Sequence, residues 1–152
     1  MDPYLTLKWL HILSSTMLFG TGIGTAFQMV MAMRSGSPAT IHSVARAVVI
    51  ADWLFTTPAG LIQPLTGIAL AHVAGYSLGE SWLVVSYGLY LLAFACWVPV
   101  VHLQIRIRDL TADHTLPSQV HHLYRRWFIL GWPAFGALIL VFWLMVAKPV
   151  LF

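Results

Sequence analysis

The chain has 152 residues, of which 59% are hydrophobic and 9% charged, and a net charge of +3. A water-soluble domain is nearer half apolar and about a quarter charged, so these few charges cannot cover a globule of this size, and a soluble fold is excluded. A spanning helix takes roughly 20 apolar residues, which gives a chain of this length about four spans and no separate extramembrane domain.

Four apolar segments follow one another. The first covers about 5–33, with Lys8 near its start and Arg34 closing it before the turn Ser35-Gly36-Ser37-Pro38. The second covers about 44–73 and contains Asp52, Pro58 and Pro64; the Gly/Ser-containing stretch 74–80 then reads as a turn. The third covers about 82–103. The longest loop is expected over 106–126, and the fourth segment covers about 127–146, with Lys148-Pro149 after it. Backbone polar groups in lipid must be satisfied internally, so such segments are helices or a closed barrel. None alternates with period two, so the barrel fails. The expected architecture is an all-α, polytopic membrane four-helix bundle in a single transmembrane domain.

The basic residues set its direction. Arg34, Arg46, Arg106, Arg108, Arg125 and Arg126 share one side, and Lys8 and Lys148 the other. Excess Lys and Arg mark the cytoplasmic side, so both termini are expected on the outer side, in the periplasm of a bacterial inner membrane. Trp9, Trp82, Trp127 and Trp143 fall where interfacial aromatic anchors belong. The basic residues read as topology signals, and no nucleic-acid partner is implied. The lone Cys96 allows no internal disulfide.

Ionisable residues inside spans need a reason. His11 lies about two turns into the first span, and Ser15, Leu18, Gly22, Thr25 and Met29 share its face. A neutral imidazole there is a candidate ligand for heme iron or copper, against the plainer reading of a histidine hydrogen-bonded to a neighbouring helix. His72, at the outer end of the second span, is the candidate second axial ligand, although on a straight helix it faces away from Asp52 and Gln63. Lys8 and Lys148 are placed to meet heme propionates. Asp52 sits inside the second span with Thr56, Gln63 and Gly67 on its face. An acid in lipid is costly unless paired or protonated. It is read either as the partner of Arg106, Arg125 or Arg126, or as a proton-handling group below a polar path of Thr56 and Gln63. Gly20 and Gly24 form a small-xxx-small pair suited to helix contact. The chain has no Gly-rich phosphate loop, C-x-x-C, H-E-x-x-H or nucleophile elbow.

The runs Leu7-Lys8-Trp9-Leu10-His11-Ile12, Phe19-Gly20-Thr21-Gly22 and Ala51-Asp52-Trp53-Leu54-Phe55-Thr56-Thr57-Pro58 resemble a bacterial family of predicted integral membrane proteins, the domain of unknown function 2269 family. Gln63-Pro64-Leu65-Thr66-Gly67, Cys96-Trp97-Val98-Pro99-Val100-Val101 and Gly131-Trp132-Pro133-Ala134 extend the resemblance over nearly the whole chain. It implies four spans and no particular activity. The opening around Lys8 and His11, the prolines of the second span and the closing Lys148-Pro149 are more distantly similar to HemJ-type and CopD-type membrane proteins. That similarity implies a heme or copper contact at His11. The third span lacks the Lys of the HemJ type, and only Pro133 remains of its Asn-Glu-x-Pro motif.

Three readings stay open. The first is a heme-binding or redox protein, with heme b on His11. The second is a small, oligomeric transporter or channel using Asp52, Thr56 and Gln63. The third is a structural or assembly partner of a membrane complex. The residues name no reaction.

Overall fold

A computed structural model describes residues 2–152. It is 85% helical and contains no strand among those residues. Helix α1 is Pro3–Ser35, α2 Pro38–Ala51, α3 Thr57–Val73, α4 Ser81–Leu110 and α5 Ser118–Ala147, with a π-helical turn over Asp52–Thr56 joining α2 to α3. Four helical stretches are long and apolar enough to cross a membrane, the second being α2 and α3 together. Leu65, Phe27, Leu91 and Trp132 are each more than 60% exposed, which suits a lipid solvent and not water.

The helix ends follow local chemistry. Asp2 caps α1 by accepting from the Tyr4 amide at 2.9 Å, and Pro3 occupies the first helical position, where its missing N–H is harmless. Gly36, with φ 65°, ends α1 in the left-handed region that glycine enters without strain. Ser37 then caps α2 ahead of Pro38.

Helices extend beyond the apolar runs that mark them. Helix α4 continues to Leu110 and α5 begins at Ser118, so Arg106, Arg108, Arg125 and Arg126 lie on helix ends. The expected loop over 106–126 shrinks to Thr111–Pro117. The helical hydrogen-bond pattern outlasts the hydrophobic stretch because α4 and α5 go on packing against each other beyond it.

Helix α1 packs along α2 and α3, α4 packs along α5, and α2 bridges to α4. At the Arg-rich end all four spans meet in one core: Met29 and Ala32, Ile41 and Ala45, Leu103 and Ile107, Val120 and Trp127. At the opposite end a smaller core holds Ala71, Trp82, Leu83 and Leu144 and takes nothing from α1. Two expected interfacial anchors therefore prove to be core residues, since Trp82 and Trp127 are each only 6% exposed; Trp9 and Trp143 are exposed.

Candidate functional site

Two polar clusters lie inside the bundle, at different depths. The first is built on His11. Its Nδ1 lies 3.0 Å from the Thr66 hydroxyl, and that hydroxyl donates its own proton to the Ile62 carbonyl at 2.8 Å. Nδ1–H must then be the donor. Nε2 is left to accept from the Gln63 amide nitrogen, 3.2 Å away, while the Gln63 oxygen accepts from Ser14. The chain of donors is complete for a neutral ring protonated on Nδ1. Gly67 makes room for it: a Cβ there would stand 3.1 Å from His11 Cε1. The helical wheel places Ser15 beside His11, but the buried partner is Ser14; the Ser15 hydroxyl turns back to the Ile12 carbonyl.

The second cluster surrounds Asp52, which is 4% exposed. The Thr56 hydroxyl donates to one carboxyl oxygen at 2.8 Å. With its amide turned to satisfy both neighbours, Gln104 donates to the other at 2.7 Å and accepts from the Trp127 indole N–H at 3.1 Å. Asp52 is thus held by neutral donors from its own turn and from α4. The expected ion pair with Arg106, Arg125 or Arg126 is absent: among the described residues the one ion pair is Arg108–Asp109. Those three arginines lie on the ends of α4 and α5 and point outward, exposed, whereas Gln104 faces inward. The buried Trp97 Nε1 lies beside the Asp52 carboxyl and donates to no other group.

Beside this cluster lies a cavity of about 510 Å³ between the α1/α3 pair and the α4/α5 pair. Asp52, Thr56, Gln104 and Trp97 form its polar part. Apart from Thr25, Thr57 and Tyr90, the remaining wall is apolar and largely aromatic, including Phe19, Phe94, Trp127, Phe128, Trp132 and Phe135. Gly22 and Thr25, from the face predicted for His11, line the cavity, whereas His11 does not. A Cβ on Gly20, Gly22 or Gly24 would meet nothing within 4 Å, so Gly20 and Gly24 make no close helix contact within the chain.

The candidate residues are only partly brought together. Asp52 and Thr56 meet. Gln63 joins His11 instead, about two turns further along α3. His72 is exposed and lies about 180° round α3 from Gln63. The Lys148 ammonium donates to the Tyr76 hydroxyl at 2.8 Å and lies over the Tyr76 ring, and that of Lys8 lies over the Tyr4 ring. A heme iron at His11 Nε2 would have to displace the Gln63 amide and would find no second ligand at His72. As arranged, these residues do not fit a two-ligand heme site.

The family model described as predicted integral membrane protein (DUF2269) matches residues 5–149. The chain belongs to that family. No curated protein and no solved structure matches it. Both polar clusters and the cavity fall within the matched residues. Trp127, expected as an interfacial anchor, and Gln104, given no role by the sequence, complete the Asp52 cluster. An amide in an apolar span is itself a signal, but only packing reveals that it answers an acid on another helix.

Proposed function

We propose that this integral membrane protein binds and carries a small lipid-soluble molecule, whose apolar body fills the central cavity and whose polar end meets Asp52. The observation that carries this reading is a buried carboxyl, with a few polar neighbours, on the wall of a mainly apolar and aromatic cavity. Concave apolar sites with a few convergent polar groups are the usual form of a small-molecule site. Aromatic walls favour flat or cationic bodies. The Trp97 N–H, beside the Asp52 carboxyl, adds a donor at the polar end of the cavity. Entry is sideways from the bilayer: Phe27 and Trp132, on the cavity wall, are also exposed.

The test uses the fluorescence of Trp97, Trp127 and Trp132, which line the cavity. The purified protein is titrated with tetraphenylphosphonium and with a lipid-soluble naphthoquinone. Saturable quenching by at least one probe is the expected result, with that by tetraphenylphosphonium weakened tenfold or more in Asp52→Asn, which removes the one acidic group on the cavity wall; a pair of unit charges is worth about 1–4 kcal/mol, and about 1.4 kcal/mol is tenfold in affinity. Quenching by neither, or an unchanged Asp52→Asn, overturns the proposal.

We further infer that the Arg-rich end faces the cytoplasm of a bacterial inner membrane, which leaves both termini outside; six of the eight basic residues support it. Heme b on His11 is the competing reading. It requires Gln63 to release Nε2, and it predicts a Soret band that disappears in His11→Ala.

A further inference from the structure

A second groove, of about 410 Å³, opens between α4 and α5 at the Arg-rich end. Its lining is Pro99, His102 and Leu103 from α4, with Arg126, Ile129 and Leu130 from α5. The two helices run in opposite directions, and the order of these residues along each has a consequence. On α4 the chain passes from Pro99 near mid-membrane outward to His102. On α5 it passes from Arg126 at the end inward to Ile129 and Leu130, about 4.5–6 Å deeper at 1.5 Å per residue. The α5 wall is therefore basic at the rim and apolar toward the bilayer centre, while the α4 wall sets the polar His102 beside the apolar Leu103 near the rim.

We infer that this groove holds an anionic phospholipid, its phosphate on Arg126 and His102 and an acyl chain along Leu103, Ile129 and Leu130. The Arg126 charge is complementary to a phosphate and uncompensated, and His102 adds a ring N–H donor. Arg126 and His102 are exposed, and the one ion pair among the described residues, at 2.7 Å, joins Arg108 to Asp109 instead. Arg106 lies one turn beyond His102 on α4 and adds positive charge at the same rim. A guanidinium suits a phosphate through paired N–H donors, and basic pockets between spans are a recognised form of headgroup site.

The rival explanation is that these basic residues only orient the chain. Orientation depends on the count of Lys and Arg near the end, whereas a site depends on which Arg faces the groove. Arg125 and Arg126 differ by one residue, hence by about 100° around α5, and Arg125 does not line the groove.

The experiment is native mass spectrometry of the full chain in detergent, titrated with phosphatidylglycerol or with phosphatidylcholine of the same acyl chains. The expected result is preferential retention of phosphatidylglycerol, about fivefold weaker in Arg126→Gln, as follows from roughly 1 kcal/mol per basic residue at a membrane surface. Arg125→Gln should retain the lipid like the parent protein. Equal retention of the two lipids, equal weakening by both variants, or displacement of phosphatidylglycerol by inorganic phosphate would overturn the inference.

Discussion

Within the His11 cluster, space is as specific as hydrogen bonding. A methyl group on Gly67 would press on the imidazole at 3.1 Å, whereas one on Gly60 would meet the Tyr90 hydroxyl at an ordinary 3.6 Å. Gly67→Ala should cost about 1–3 kcal/mol through overpacking and lost His11 bonds, and Gly60→Ala should be close to neutral; thermal unfolding in detergent compares the two. Tyrosines allow a parallel comparison. The Tyr90 hydroxyl donates to the Gly60 carbonyl at 2.6 Å, while the buried Tyr87 hydroxyl has no partner. Tyr90→Phe should therefore lose about 1 kcal/mol, and Tyr87→Phe should lose nothing or gain stability. Some of this was legible in the chain. Asp52 and Thr56 lie one turn apart and do meet. The polar groups of α1 were placed near a facing helix, but the choice between Ser14 and Ser15 turned on which side α3 approaches, which a single helix does not state.

At the scale of elements, the second span is the one that departs from regular geometry. Pro58 has no N–H to give the Leu54 carbonyl, and its ring crowds that position. The chain responds with a π turn: the Thr57 amide bonds to the Asp52 carbonyl five residues back, and the Thr57 hydroxyl donates to the same oxygen at 2.9 Å. A straight α-helix would carry Asp52, Thr56 and Gln63 as one stripe. The wider turn, with Pro64 further on, sends Asp52 toward α4 and Gln63 toward α1. The proline was visible in the sequence, but the sense of the distortion was not. Pro58→Ala should let the turn relax toward α-helical geometry and rotate α3 relative to α2. The readout is the His11 imidazole resonance in NMR, which should move to that of a ring that has lost Gln63 or Thr66. An unchanged resonance would mean that packing of α1 on α3, and not the proline, fixes the turn.

The whole molecule is two helix pairs closed at the Arg-rich end and parted around a cavity. Composition and hydropathy state the four spans clearly, because lipid imposes the same demand on every segment. They are silent on which pairs touch, since the mutual order of α1, α3, α4 and α5 rests on shape and on a few specific hydrogen bonds that overall hydropathy does not show. The cavity follows from that order: α1 meets α5 there through side chains, with the Phe19 and Phe135 rings 5.2 Å apart. The central claim is that this space is a binding site. Gly22 lines it, and a Cβ there meets nothing within 4 Å, so Gly22→Phe should fill the cavity without disturbing the fold. The most direct measurement is tryptophan quenching by tetraphenylphosphonium and the naphthoquinone in this variant, beside its thermal midpoint. The account predicts that saturable quenching is lost while the midpoint is held or raised. Quenching that survives in the filled protein would contradict it.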